Sequence, residues 1–255
     1  MSSDYPTSLP TSKTDYDSDT AVASSLQNAQ GEDINAVAAK VGVTDSAVTT
    51  SVDYWIKKGW NPASGTWEYA SANTITVPSG AASLYQKGDK IKWTQTTVKY
   101  GTIITVADTL LTIAVNTDYV LTNAAISDNY YSHAENPQGF PSSFTYTLTY
   151  TGFSADPTGT GKFWIIGNLC FVDIAMSADG TSNDTGFTVS LPVTIVREGW
   201  GNTGYVVNNG TPDNTTVIKP RFQSGTSCVI WRGGVAAGWT NTNGKRCNVY
   251  GFYTI

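Results

Sequence analysis

The sequence predicts a mainly β protein with an extended amino-terminal arm, one short α-helix, a small β-barrel and a carboxy-terminal β-sandwich head of jelly-roll type. Charged residues make up only 14% of the 255 residues, against 40% hydrophobic and 12% aromatic residues. An average globular protein has about 25% charged residues, so Thr, Ser, Asn and Gly must cover this surface. These residues favour strands and turns. Short alternating runs between turn residues point to the same class.

The first segment, residues 1–58, is predicted to be an arm followed by a helix. Residues 1–19 are Ser, Thr, Asp and Pro with little to bury, which is typical of an extended attachment arm. A helical stripe then recurs every three or four residues: Val22, Leu26, Gln30, Ile34, Val37 and Val41. Gly42 is placed to end this helix, with Val43 completing a Schellman turn.

The stripe on this helix is narrow and is interrupted by Gly31. Its 4-4-3 spacing is closer to an 11-residue than to a 7-residue repeat, which favours a nearly straight bundle of identical helices. The alternative is that the helix docks on its own domain. We prefer self-association because the sequence nearby offers no groove.

Two β domains are predicted after the helix. Residues 59–132 contain short alternating runs such as "KIKWTQ", in which Ile91 and Trp93 face one side, and five or six such strands can close a small barrel. Residues 133–141, "HAENPQGFP", are predicted to be a linker. Residues 142–255 show the alternation of a sandwich or jelly roll.

The most apolar segment of the chain, "GKFWIIGNLCFVDIAM", is predicted to be a hairpin in the sandwich. Gly167 and Asn168 suit a tight two-residue loop between its strands. Its continuous apolar run predicts a strand that is buried on both faces, with Trp164 in the core. In a trimer, such a strand would lie at the subunit interface.

Charge and side-chain supply exclude several functions. The net charge is -5 without a basic run, which argues against nucleic-acid binding. The start "MSSDYPTSLP" predicts no secretory signal, so we expect folding in a cytoplasm. The single histidine, His133, lies in the expected linker, where a solvated loop residue is the simpler reading than a hydrolytic triad. No metal or other cofactor is predicted.

The sequence also argues against thiol, phosphate-binding and glycosidase chemistry. Cys170, Cys228 and Cys247 are expected to be buried thiols, although Cys228 and Cys247 could form one bridge. The segment "PTGTGKFW" fails the phosphate-loop pattern at two positions. A glycosidase needs two carboxylates across a cleft, and no spacing selects a pair among Asp173, Asp179, Asp184 and Glu198. We therefore expect a protein without enzymatic activity.

Aromatic residues in polar turns are the best candidates for ligand binding. Tryptophan faces can stack on sugars while amides meet the hydroxyl groups. The candidates, with Trp239 first because a long polar turn surrounds it, are Trp239, Trp200, Trp231, Tyr205, Asn241 and Asn243. The alternative is that these tryptophans close the ends of the sandwich.

The order of segments resembles bacteriophage trimeric tail-fibre and head-fibre proteins. The resemblance is carried by "AKVG" and "SAVTTSVDY" in the amino-terminal segment, by "GWNPASGTWEYASANTITVPSG" with "YQKGDKIKWTQTTVKYG", by "DNYYSHAENPQGFP", and by "GKFWIIGNLCFVDIAM" with the terminal "GFYTI". It covers nearly the whole chain. The helix departs from the pattern because it is short, which favours a compact spike, a short fibre or a capsid-mounted fibre.

The resemblance implies a homotrimeric virion protein, assembled in the bacterial cytoplasm and attached by its amino terminus to capsid or tail proteins. Its outer domain would bind a host-surface glycan, with no membrane insertion and no catalytic residue. The residues expected in trimerisation are Val22, Leu26, Ile34, Val37 and Val41, and those expected in virion attachment are Tyr5, Leu9 and Tyr16. The rival readings are a decoration protein of capsid or tail without a host ligand and, less favoured, a glycan-degrading enzyme.

Overall fold

The computed structural model describes residues 21–42, 47–48, 51–223, 225–241 and 243–255, without the side chains of residues 21–29, 55, 57 and 243. The chain forms two compact units, Met1–Pro62 and Ala63–Ile255. The predicted attachment residues, Val43 and the side chains of Val22 and Leu26 lie outside the described residues. The mainly β class with antiparallel sheets is confirmed.

The first unit contains helix α1, Ala21–Val41, helix α2, Val52–Lys58, and a short strand β1, Asn61–Pro62. The predicted end of α1 is confirmed, because Gly42 adopts a φ of 85°. Its amide donates to the carbonyl of Ala38 at 2.8 Å, which is the bond of the single αL motif and not the C′ bond of the predicted Schellman turn. Ser51 caps α2 by accepting a hydrogen bond from the amide of Tyr54 at 3.3 Å.

The described part of the α1 stripe is exposed. Ile34 is 55% exposed and Val37 62%, while Ala38, one turn after Ile34, is buried. The chain passes close to Ser51 at Gly42, where an added Cβ would lie 2.7 Å from the Ser51 hydroxyl oxygen. The stripe predicted for self-association therefore presents aliphatic side chains at the surface of this chain.

The second unit begins with an antiparallel sheet in the strand order β7-β4-β5-β6-β3-β2. Its elements are β2 Glu68–Ser71, β3 Thr74–Thr76, α3 Ala81–Leu84, β4 Lys90–Gln95, β5 Thr97–Ala107, β6 Leu110–Val115, the 3₁₀ turn η1 Thr117–Tyr119 and β7 Ser127–Ser132. The sheet is a half-barrel. The prediction of a closed barrel is wrong, because β2 and β7 do not pair with each other.

Alternation within this sheet builds its core. Ile91 and Trp93 are fully buried, as predicted, and pack with Trp67, Ile75 and other apolar residues. Several polar residues depart from the pattern, among them Lys90, which alternation places on the face opposite Ile91 and Trp93 and which is only 2% exposed. Its environment is taken up below.

The remaining strands form two further antiparallel sheets. They are β8 Phe144–Tyr146, β9 Tyr150–Thr151, β10 Phe153–Ala155, β11 Gly159–Ile166, β12 Leu169–Met176, β13 Gly180–Ser182, β14 Thr188–Ile195, β15 Gly199–Trp200, β16 Asn202–Asn208, β17 Thr211–Pro212, β18 Ile218–Gln223, β19 Gly225–Arg232 and β20 Asn243–Thr254. One sheet has the order β10-β13-β20-β12-β11-β8, with β16 and β17 beside β20. The other has the order β15-β18-β19-β14-β9. Both contribute to one hydrophobic core, which is the layering of a β-sandwich.

The predicted hairpin is present, but its burial differs from the prediction. Ile166 pairs with Leu169, so Gly167 and Asn168 form the expected two-residue loop. Burial alternates along both strands: Phe163 and Ile165 are buried, whereas Trp164 is 36% exposed. The assignment of Trp164 to the core is therefore wrong. Its ring stacks on the cross-strand Phe171 at 5.4 Å on the outer face of the sheet.

The segment expected to be a linker packs within the second unit. Phe140 makes an edge contact with Phe144 at 5.5 Å and with Tyr100 at 6.0 Å. The ammonium of Lys90 donates to the carbonyls of Gly88 at 3.0 Å and Ile165 at 2.7 Å, and forms an ion pair with Glu135 at 3.1 Å. Burial lowers the pKa of Lys90, and Glu135 partly offsets this effect. Within residues 63–255, the half-barrel and the sandwich are therefore joined by the polar contacts of Lys90 as well as by apolar contacts.

The three cysteines are buried free thiols, as predicted, and none forms a disulfide. Burial raises the pKa of Cys170 to about 12, and Tyr253 opposes this shift by a hydrogen bond. Burial also raises the pKa of Cys228 and Cys247. Thiols in such surroundings behave as small apolar core residues.

Candidate functional site

The candidate site lies where the chain crosses from one sheet of the sandwich to the other. Strand β15 pairs with β18 in the five-stranded sheet, and β16 pairs with β20 in the larger sheet. Gly201 alone separates β15 from β16, and its amide donates to the carbonyl of Pro220 at 2.9 Å. The two sheets therefore meet at this residue.

Two glycines allow the strands to approach so closely. A Cβ on Gly201 would lie 2.9 Å from the Phe222 ring and 3.0 Å from the Tyr250 carbonyl oxygen. A Cβ on Gly251 would lie 3.0 Å from the Gly201 Cα and from the same ring. Since real Cβ atoms do not fit at such distances without a shift of the neighbours, the crossing depends on glycine at both positions.

An open groove of about 510 Å³ runs beside this crossing, and we call it the crossing groove. Its lining consists of Trp200, Gly201, Asn202, Thr203, Ile218, Lys219 and Tyr250. Two of these side chains are large exposed aromatics: Trp200 is 53% exposed and Tyr250 48%. Asn202, Thr203, Lys219 and the Tyr250 hydroxyl supply polar groups next to the rings.

Trp200 is held by an aromatic and guanidinium cluster. Its ring meets Trp231 edge to face at 5.3 Å with an interplanar angle of 90°. The Arg221 guanidinium lies 5.9 Å from the Trp200 ring and 5.5 Å from Trp231, and it is fixed by Glu198 at 2.6 Å. Such contacts orient an exposed ring before a ligand arrives, which lowers the entropic cost of binding.

The other predicted ligand residues are dispersed. Tyr205 is exposed on β16 below the Arg246 guanidinium, 4.8 Å from the ring centre, but it does not line the crossing groove. Arg246 in turn pairs with Asp179 at 3.1 Å. Asn241 is exposed in a turn, and the Asn243 side chain lies outside the described part of the chain. The structure thus brings together Trp200 and Trp231 from the predicted set.

Trp239, the first choice from the sequence, is not a surface platform. It is 3% exposed, its ring contacts Phe187 at 4.9 Å, and its indole nitrogen donates to the Ile230 carbonyl at 2.8 Å. The prediction for Trp239 is wrong because the polar turn folds this ring back onto the sandwich core. A ring face buried in this way cannot stack on a sugar.

Sequence reasoning missed Tyr250, Asn202 and Lys219. Tyr250 lies on β20 between the buried residues Val249 and Tyr253, so the apolar sequence of this strand predicts a core strand. The alternation itself was the available signal, because it places Tyr250 and Phe252 on the face opposite Val249. Lys219 could have been found by the same parity on β18.

The groove has the chemistry of a saccharide site. Rings can stack on the apolar face of a pyranose, while amide, hydroxyl and ammonium groups bond its hydroxyls. Of the four carboxylates weighed earlier, Glu198 and Asp179 are held in ion pairs with arginine. Among the described residues no group of three or more His, Cys, Asp or Glu side chains is arranged to hold a metal ion.

Comparison of the chain with family models, with curated proteins and with solved structures gives no match. Within the described residues, no helix is both long and apolar enough to cross a membrane.

Proposed function

We propose that this protein is a homotrimeric bacteriophage virion protein, a short fibre or spike. Its amino-terminal arm would attach to capsid or tail proteins, and its jelly-roll-like head would recognise a host-surface glycan. The observation that carries the glycan part is the crossing groove, in which Trp200 and Tyr250 present exposed rings beside polar side chains. The segment order and motifs of the sequence support the virion part.

The exposed stripe on α1 supports the trimer. Ile34, Val37 and Val41 are all exposed, although each is aliphatic and all lie on one helical face. An isolated helix of this length is only marginally stable in water. Burial of its aliphatic stripe against two further copies of the helix would stabilise it. We expect the stripe to form the axis of the trimer.

The trimer is tested by light scattering on the full chain after size-exclusion chromatography. We expect three copies per particle, and we expect the double change Ile34→Asp and Val37→Asp to yield smaller particles because charges at the axis would be buried unpaired. The matched control is Ala39→Asp, since Ala39 is exposed and lies on the side of the helix opposite the stripe. A monomeric native chain would contradict the proposal.

Glycan recognition is tested by binding of the fluorescent full chain to host cells. Shortening the chain near residue 141 would cut through the compact unit Ala63–Ile255, so a point variant is the better tool. We expect Trp200→Ala to lower adsorption at least tenfold, because stacking on an exposed ring supplies much of such an affinity. The control Trp164→Ala also removes a partly exposed tryptophan and should adsorb normally. Equal adsorption of Trp200→Ala and the native chain would instead favour the decoration protein without a host ligand.

A further inference from the structure

The charge of the chain is distributed unevenly in a way that bears on the crossing groove. Residues 1–184 contain nine basic and eighteen acidic residues, whereas residues 185–255 contain six basic and two acidic residues. The last segment therefore carries a net charge of +4 in a chain of net charge -5. This segment supplies every residue that lines the groove.

Lys219 brings one of these charges into the groove. It lies on β18 with its side chain exposed, and it is the cross-strand neighbour of Trp231. No carboxylate among the described residues forms an ion pair with it, whereas the neighbouring Arg221 is paired with Glu198 at 2.6 Å. Lys219 is thus the cation of this groove whose charge is not already matched.

We propose that the crossing groove binds a negatively charged sugar residue, with Lys219 pairing with the carboxylate or phosphate of that residue. The inference rests on the proposed function and specifies its ligand. A ligand that stacks on Trp200 and Tyr250 also covers Lys219 and removes water from its ammonium. Covering a charge without a counter-charge costs free energy, whereas a charge-assisted hydrogen bond offsets that loss.

A neutral glycan would fit this groove poorly for the same reason. Its hydroxyls can accept a hydrogen bond from the ammonium, but they leave the charge uncompensated. Arg221 cannot take over the role while Glu198 holds it beside the two tryptophans. The groove therefore selects for charge through one residue and for ring shape through Trp200 and Tyr250.

The test measures binding of the full chain to immobilised bacterial surface polysaccharides of three kinds: neutral, uronate-containing and phosphate-containing. Each acidic polysaccharide that binds is compared with its neutralised form, made by carbodiimide reduction of uronates or by removal of phosphate with hydrofluoric acid. The variants are Lys219→Gln, the conservative Lys219→Arg, and Lys92→Gln as a matched control outside the groove. Affinities are measured at about 0.05 M and 0.5 M salt.

We expect binding to acidic polysaccharides, loss of binding after neutralisation, and a roughly 10- to 100-fold weaker affinity for Lys219→Gln. Lys219→Arg should retain most of the affinity and Lys92→Gln all of it. The salt dependence should fall in Lys219→Gln, which a purely structural role of Lys219 would not produce. Reduction and dephosphorylation show whether a carboxylate or a phosphate is bound.

Two outcomes would overturn the inference, and they differ in what else they affect. Binding to neutral polysaccharides, or equal affinity of Lys219→Gln and the native chain, would refute the acidic ligand and leave glycan recognition standing. Absence of binding to all three kinds of polysaccharide by a native trimer would refute the glycan-binding part of the proposed function together with this inference.

Discussion

Replacing Lys90 by methionine tests whether a buried ammonium joins the half-barrel to the sandwich. The change keeps an unbranched apolar stem in the site but removes the donor to the Gly88 and Ile165 carbonyls, at 3.0 and 2.7 Å. A buried acceptor that loses its partner costs about 1–3 kcal/mol, so two would cost about 2–6 kcal/mol. Relief of the burial penalty on the ammonium offsets part of this. We expect a net loss of about 3 kcal/mol.

The assay is urea denaturation of the full chain at one fixed protein concentration, followed by tryptophan fluorescence, because oligomer stability depends on concentration. Glu135→Gln should cost about 1 kcal/mol, less than Lys90→Met, because the Glu135 carboxylate is about half exposed and the buried ammonium keeps both carbonyl acceptors. Lys92→Met, two residues along the same strand, is the matched control and should cost less than about 1 kcal/mol. A loss for Lys90→Met no larger than that of Lys92→Met would refute the bridge.

Three other predictions concern packing and burial. Gly88→Ala should lower the free energy of unfolding by about 2–4 kcal/mol, because the φ of Gly88 is 95° and a Cβ there would lie 2.8 Å from the Gly167 Cα. The control Gly210→Ala, at a φ of 69° with open space around it, should lose only about 1–2 kcal/mol in the same urea assay. Equal losses would show that the close approach of Gly88 to Gly167 does not matter. The three thiols should not react with Ellman's reagent until the chain unfolds, and rapid reaction of the native chain would contradict their burial. Burial raises the pKa of Cys170 from 9.0 to about 12 and also raises those of Cys228, Cys247, Tyr146 and Tyr253, so the stability contributed by the protonated forms is complete below pH 9 and is lost as the pH rises. Alkaline urea titrations should show this loss, and it should be smaller in Cys170→Ala.

Local patterns predicted the features that local physics decides. The alternation of "KIKWTQ" placed Ile91 and Trp93 on the buried face, and Gly167 with Asn168 marked the two-residue loop. The end of α1 at Gly42 followed from the left-handed backbone that glycine adopts without cost. In each case the signal, a two-residue alternation or a turn residue, lies within a few residues of the feature that it predicts.

The two misjudged tryptophans show where that reasoning ends. Trp164 stands in an apolar run, yet its side chain lies on the outer face of the sandwich, in a row with Phe171 and Phe252. Trp239 stands in a polar turn yet lies against Phe187 in the core. In both cases the composition of the surrounding segment indicated the wrong burial. Burial depends on which sheet covers which face, and composition does not show this. That is set by pairings between distant strands, not by neighbours in sequence.

At the crossing groove, the glycines of the sequence indicated the site better than the aromatic residues did. Trp200 was found because it stands in the polar turn "EGWGNTGY", but Tyr250 is 50 positions away and reads as part of a core strand. What joins the two is the contact of Gly201 with Gly251, where the backbone of β20 and the chain between β15 and β16 meet without side chains. A glycine inside an otherwise regular strand indicates a close backbone approach. Gly251 in "VYGFY" was such a signal. Because Gly201 and Gly251 lie against each other, the side chains next to them in sequence, such as Trp200 and Tyr250, come together around one groove.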